Sequence, residues 1–149
     1  MESMYYEHVD RPKEPMSPMD SIKTCFSKWS DWGGRATRSE FWWFYAFSMV
    51  VSLICQGSVW VIAVTVGFAG VLPTILAWTL QVVWLAAFVP LTCVTVRRLH
   101  DTGRTGWWLL STPIPILTII MGVFLIQEGE SRKNKFGSVP RNIAPSATL

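Results

Sequence analysis

Two long stretches of this chain contain no charged residue. No Asp, Glu, Lys or Arg occurs from residue 41 to residue 96, and none occurs from residue 105 to residue 127. About 20 apolar residues are enough to cross a bilayer core that is about 30 Å thick. The first stretch is therefore long enough for two membrane crossings and the second for one. This pattern predicts an all-α, polytopic membrane protein with three transmembrane helices.

Gly67, Gly70 and Pro73 interrupt the first stretch near its middle. Because glycine and proline mark the ends of helices, we place the first two transmembrane helices at about residues 41–66 and 73–96. The two helices would run in opposite directions and return the chain to the side of the membrane from which it started.

The third predicted transmembrane helix covers about residues 107–126 and contains Pro113 and Pro115. Proline removes a backbone donor and kinks a helix, which membrane proteins tolerate when neighbouring helices supply other partners. The same prolines also fit an alternative, in which this segment enters the membrane and returns to the same side as a re-entrant hairpin. Of the two arrangements, we predict the full crossing.

A short amphipathic helix is predicted ahead of the first crossing. Residues 17–20, Ser-Pro-Met-Asp, provide a capping oxygen, a proline at the first helical position and an acid three residues after the cap. Ile22, Phe26 and Trp29 then recur at helical spacing, so we expect this helix to lie in the headgroup layer. A loosely ordered linker is the alternative, because so short a helix is marginal by itself.

The chain is expected to form one membrane domain between two tails. Residues 1–16 are polar and contain prolines, and we expect them to be a disordered tail. Residues 17–140 would form the membrane domain, and residues 141–149 a flexible C-terminal tail.

The distribution of Lys and Arg predicts the orientation, because basic residues concentrate in cytoplasmic segments. Residues 1–40 contain six of them, residues 67–72 contain none, and Arg97, Arg98 and Arg104 follow the second helix. The N-terminus is therefore expected in the cytoplasm. Residues 127–149 are also basic, although three crossings would place them outside, so the side of the C-terminus stays open.

Two antiparallel crossings should bring two charged motifs together at one face of the membrane. The first motif begins with a capping box, Thr37 followed by Glu40, and the second lies at the C-terminal end of the second helix, where cations are favoured. We call the predicted cluster the charged collar, and its members are Arg35, Arg38, Glu40, Arg97, Arg98, His100, Asp101 and Arg104. Tryptophans beside it should act as interfacial anchors, namely Trp29, Trp42, Trp43, Trp107 and Trp108.

Polar residues within the first two helices predict where these helices touch. Gln56 and Gln81 lie the same number of residues from the charged collar, so their amides should face each other at one depth. Ser48 and Ser52 continue the stripe of Gln56 at four-residue spacing, which suits close helix packing. The alternative is that Gln81 faces the third helix or a partner subunit.

Three motifs carry a resemblance to a known family. "GRATRSEFWWF", "RRLHDTGRTGWW" and "NKFGSVP" occur in this order with apolar spans between them. Over roughly residues 24–140, the chain resembles the domain of unknown function 805 family of small bacterial inner-membrane proteins. The resemblance implies a multi-pass protein of the inner (plasma) membrane. The family has no established biochemical activity, so the resemblance does not indicate one.

The favoured functional hypothesis is that the charged collar binds anionic lipid headgroups. One alternative is an adaptor or subunit that binds another membrane protein or a second copy of itself. The other is an enzyme acting on a phosphorylated substrate through His100 and Asp101, but neighbours on a helix point about 100° apart, so we expect no enzyme. We expect no metal or cofactor, because Cys25, Cys55 and Cys93 are widely spaced. We expect no nucleic-acid partner, because the aromatic residues continue directly into apolar spans.

Overall fold

Each described stretch of the chain is built from helices and turns. The computed structural model describes residues 15–67 and 70–140. Its helices are α1 (Pro18–Ser27), α2 (Arg38–Thr65), α3 (Val71–Asp101) and α4 (Pro115–Ile126), with a 3₁₀ helix at Gly106–Ser111. The described residues contain no β-strand, only an isolated bridge between Asn134 and Gly137. The all-α prediction is confirmed.

The helices α2 and α3 form an antiparallel pair that is long and apolar enough to cross a membrane. At 1.5 Å per residue they are about 42 Å and 46 Å long, against a bilayer core of about 30 Å. Their outer faces expose large apolar side chains, for example Leu53 at 74% and Leu72 at 81%. The two helices predicted at residues 41–66 and 73–96 are thus present, and α3 continues through Asp101, so the second charged motif begins inside the helix.

Local sequence signals explain where the first two helices begin. Ser17 caps α1 by accepting a hydrogen bond from the Asp20 amide at 3.2 Å, and Pro18 occupies the first helical position. Thr37 caps α2 in the same way, through the Glu40 amide at 3.2 Å. The predicted capping box is only half formed, because the Glu40 carboxylate turns inward to a buried arginine instead of to the backbone.

The helix predicted over residues 107–126, with a kink at its prolines, is divided into two separate helices, and the third crossing is not confirmed. The chain forms the 3₁₀ helix, breaks at residues 112–114 and restarts at Pro115, which fits the first turn of α4. Trp108 and Phe124, from the two arms, meet edge to face with 5.0 Å between ring centroids. The 12 residues of α4 span about 18 Å, less than the bilayer core of about 30 Å. Residues 106–127 are therefore a hairpin, as in the re-entrant alternative.

The best-packed apolar core lies at the charged end of the helix pair. It joins α1, α2, α3 and α4 through buried Cys25, Phe44, Leu99 and Leu125, among others. Phe26 of α1 meets Phe44 edge to face at 5.4 Å. The predicted amphipathic helix is therefore packed against α2, with Phe26 at that contact, whereas Trp29 lies beyond the end of α1 and is exposed.

The residue before the cap of α1 contacts the start of α2. Met16 is buried, and its amide donates to the Ser39 hydroxyl at 3.0 Å. Residues 1–14 and the predicted flexible tail, residues 141–149, lie outside the described residues.

Candidate functional site

The two charged motifs meet at one end of the helix pair. The Ala36 amide donates to the Arg97 carbonyl at 3.1 Å, and Arg35 forms an ion pair with Asp101 at 2.8 Å. The side chains are buried within the protein, with Arg97 only 1% exposed and both Arg98 and Asp101 at 0%. The charged collar is thus largely an internal cluster, which its sequence pattern did not indicate.

Asp101 is the central acceptor of this cluster. Its Oδ1 accepts from Arg35 Nε at 2.9 Å, and its Oδ2 accepts from Arg98 Nη1 at 2.5 Å. Buried ion pairs offset their desolvation only when the remaining donors and acceptors also find partners. One carboxylate therefore holds two buried guanidinium groups, one from each charged motif.

The remaining donors of these two arginines bind the C-terminal segment. Arg35 donates to the carbonyl oxygens of Arg132, at 2.7 Å, and of Glu130. Arg98 donates to the carbonyl oxygens of Leu125, at 3.1 Å, and of Gln127. The Glu130 amide in turn donates to the Asp101 carbonyl at 2.8 Å. The arginines thereby hold the end of α4 and the segment after it beside the end of α3.

His100 connects the second motif to the third. Its ring stacks on Phe136 with 3.8 Å between centroids and an angle of 3° between the planes. Its Nδ1 lies 3.2 Å from the Gly34 carbonyl, while Asn134 Nδ2 donates to the His100 carbonyl at 2.9 Å. The Asp101 carboxylate binds Arg35 and Arg98, whereas the His100 ring contacts Phe136 and the Gly34 carbonyl, so the two neighbours join different parts of the cluster.

Arg97 and Glu40 form a second buried ion pair, with Nη1 and Oε1 2.8 Å apart. The thiol of Cys25 lies beside it, 3.9 Å from the same carboxylate oxygen. Burial and the negative charge of Glu40 raise the pKa of the Cys25 thiol to about 12. Cys25 is therefore an uncharged, poorly reactive thiol at neutral pH, and sequence inspection had not linked it to the cluster.

Arg38 and Arg104 lie at the edge of the cluster. Arg38 forms an ion pair with Glu128 at 3.5 Å, and its side chain is 44% exposed. Arg104 lies over the Phe124 ring, 3.6 Å from its centroid, and donates to the Gln127 side chain at 3.1 Å. Of the collar arginines, Arg38 is the one that the structure leaves exposed.

Most of the predicted interfacial tryptophans are on the surface. Trp29, Trp42, Trp43 and Trp107 are exposed, as an anchor at a membrane border requires. Trp108 differs, because it packs against Phe124 inside the hairpin. The sequence reading did not single out Trp60 and Trp78, which are exposed toward the opposite end of the helix pair.

Of the predicted polar residues between α2 and α3, Gln56 and Gln81 form a contact between the two helices. Gln81 Nε2 donates to Gln56 Oε1 at 3.4 Å, so the amides meet at the depth that counting predicts. Ser48 is buried and donates to the carbonyl of Phe44 in its own helix at 2.9 Å, whereas Ser52 is half-buried. The glutamine pair thus fixes the facing sides of the two helices.

The structure brings the three sequence motifs into a single assembly, in which the first and third contact the second. A family model described as "Protein of unknown function (DUF805)" matches residues 29–138, a range that contains nearly all three motifs. The chain belongs to this family. The arginine cluster and the His100–Phe136 stack lie within the matched region.

Similar proteins have names that state a location. The chain is 33% identical to inner membrane protein YhaI of Escherichia coli over 109 residues, which cover 72% of this chain and 84% of that protein. It is 34% identical to inner membrane protein YhaH of the same organism over 128 residues, covering 83% and 98%. No solved structure matches the chain. The relatives are inner membrane proteins, and the apolar α2 and α3 fit the same environment.

Among residues 15–67 and 70–140, no group of three or more His, Cys, Asp or Glu side chains is placed to hold a metal ion. The three cysteines are free thiols, and each is buried at a different place. The distinctive chemistry of the site is instead its excess of buried guanidinium groups.

Proposed function

We propose that this protein is an integral protein of the bacterial inner membrane that spans it twice, with the arginine cluster on the cytoplasmic side. The names of the relatives support the inner membrane, and α2 and α3 supply two sufficiently long apolar helices. In this arrangement residues 106–127 are a re-entrant hairpin. The basic residues 132, 133 and 135 then lie in the cytoplasm, as the positive-inside rule favours, which removes the conflict that a third crossing would create.

We further propose that the cytoplasmic border of the protein binds anionic lipid headgroups and has no catalytic role. The observation that carries this proposal is the surface at the start of α2, where the exposed Trp42 and Trp43 follow the exposed Arg38 by about one helical turn. Trp107, in the 3₁₀ helix, is exposed as well. Exposed Lys23 and Lys133 add positive charge to the same end of the protein. Each basic side chain near an anionic surface contributes about 1 kcal/mol. The buried arginines organise this border from inside the protein.

Lipid selectivity of the reconstituted protein tests this proposal. The protein, in bilayers of phosphatidylcholine with a minor fraction of spin-labelled phosphatidylglycerol, should hold the anionic lipid in preference to a spin-labelled phosphatidylcholine. Replacing Arg38, Lys23 and Lys133 together by Gln should largely remove this preference, because about 1 kcal/mol, or about fivefold, is lost at each position.

The matched control replaces Arg38 by Lys and the two lysines by Arg, which keeps every charge and should keep the selectivity. An equal preference for both lipids in the unmodified protein would contradict lipid binding at this border.

A further inference from the structure

A polar cavity of about 330 Å³ opens beside the arginine cluster. We call it the Arg97 pocket. Its walls come from the turn after α1, the first motif, α3 and the third motif. The lining residues are Lys28, Asp31, Gly34, Arg35, Arg97 and residues 137–140. The volume is at the lower end of the range for small-molecule sites, about 300 to 1,000 Å³.

Arg97 is the unusual member of this lining. Its guanidinium nitrogens are buried, and none of the three makes a well-aligned hydrogen bond within the described residues. Its Nη1 forms the ion pair with Glu40, and the Cys25 thiol lies beside this pair. A guanidinium group has five N–H donors, and buried donors that lack an acceptor lower the stability of the fold. The neighbouring Arg35 and Arg98 have carboxylate and carbonyl acceptors, so Arg97 stands out within the same cluster.

The charged groups of the cluster and of the pocket lining sum to a net positive charge, which favours an anionic ligand. Three buried arginines, Arg35, Arg97 and Arg98, face two buried carboxylates, Glu40 and Asp101. The lining adds one cation and one anion, because the exposed Lys28 and Asp31 both border the cavity. One positive charge is left over, which matches a single monoanion and disfavours a ligand with several negative charges. The ligand chemistry that fits arginine donors best in this charge state is a phosphate monoanion.

We propose that the Arg97 pocket binds one phosphate monoanion, with Arg97 and Lys28 as its principal donors. The phosphodiester group of a phospholipid and free inorganic phosphate share this chemistry. The proposal deepens the proposed function and rests on it for the position of the pocket at the cytoplasmic border of the membrane. There the pocket would give the protein one specific headgroup site in addition to the diffuse attraction of its surface charges.

Binding of two probes to the purified full chain in mild detergent tests the proposal. The probes are inorganic phosphate and water-soluble dihexanoyl phosphatidylglycerol, each measured by titration calorimetry and by competition against the other. We expect saturable binding with one site per chain. Lys28→Gln should weaken binding about fivefold, which corresponds to one basic contact near an anion. Lys135→Gln, at an exposed lysine of the third motif that is not part of the lining, is the matched control and should change nothing.

Two further variants test the role of the Arg97 guanidinium group, and neither leaves an unpaired charge in the protein interior. Arg97→Gln combined with Glu40→Gln removes both partners of the ion pair, so that neither remains buried and unpaired, and it should abolish binding. Arg97→Lys keeps the charge but loses the planar fork, and it should bind more weakly than the unmodified protein. Thermal unfolding of each variant identifies any that fail to fold, and Lys28→Gln, at an exposed position, remains informative if the buried variants do fail.

The outcomes separate the two sources of the anion. Tighter binding of the lipid probe, displaced by phosphate, supports a headgroup site. Binding of phosphate that the lipid probe does not displace supports a site for free phosphate. No saturable binding of either probe, or binding that Lys28→Gln leaves unchanged, overturns the proposal. If neither probe binds but the bilayer preference for phosphatidylglycerol persists, the proposed function stands without the pocket. If the probes bind but the bilayer preference is absent, the pocket stands and the proposed function fails.

Discussion

Among the individual side chains, Asp101 has the largest structural consequence because its two oxygens hold Arg35 and Arg98. Those arginines in turn bind the backbone of residues 125–132. The sequence shows that these charges are close together, since a count of helix lengths brings the two motifs to one face. It does not show that they are buried, because their burial depends on a distant segment that supplies carbonyl acceptors. Composition alone made the same arginines look like a surface collar.

Asp101→Asn should therefore destabilise the protein strongly. The change leaves two buried guanidinium groups without a carboxylate, and breaking a buried pair costs about 3 to 5 kcal/mol. We expect a lower unfolding midpoint in detergent and faster proteolysis after residue 127.

Asp31→Asn is the control for this substitution, because Asp31 is exposed and its carboxylate accepts a hydrogen bond from the Gly33 amide in its own turn. Equal stability of the Asp101→Asn and Asp31→Asn proteins would show that the carboxylate does not hold the cluster together.

Among the helices, the sequence predicts best those with a local signal. The caps at Ser17 and Thr37 and the break near Gly67 lie where the pattern places them. The sequence cannot decide between a crossing helix and a hairpin for residues 106–127, because both have the same apolar composition. What separates them is the contact between Trp108 and Phe124, together with the return of residue 127 to Arg98. Neither contact leaves a periodic signal.

Gly106 tests the packing of the first arm of this hairpin on α3. A Cβ at this position would lie 2.7 Å from a methyl carbon of Val96, closer than real carbon contacts allow. Gly106→Ala should therefore lower the free energy of unfolding by about 1 to 3 kcal/mol, the usual range for overpacking. The combination with Val96→Ala should recover part of the loss, because it removes the methyl groups that clash.

Gly122→Ala in α4 provides the matched control, since nothing lies within 4 Å of the added carbon. In the interior of a helix, alanine is favoured over glycine by about 1 kcal/mol, so this variant should be as stable as the unmodified protein or more so. A loss of stability at Gly122 equal to that at Gly106 would mean that the contact with Val96 is not the cause.

For the protein as a unit, the central claim is that three sequence motifs from distant parts of the chain assemble on one side of the membrane. The charge-free stretches and the equal depths of Gln56 and Gln81 predict the antiparallel pair, and the hydrogen bond between these amides agrees with it. The third motif reaches the other two only because residues 106–127 turn back. The position of the C-terminal segment therefore decides between this arrangement and a third crossing.

Cysteine labelling of intact spheroplasts measures this position directly. In a chain whose three native cysteines are replaced by alanine, single cysteines are placed at Lys28, Val71 and Lys133, all exposed in the structure. A membrane-impermeant maleimide should label Val71→Cys in intact cells, and it should label Lys28→Cys and Lys133→Cys only after the membrane is opened. Labelling of Lys133→Cys in intact cells while Lys28→Cys stays protected would place the third motif on the opposite side and contradict the account.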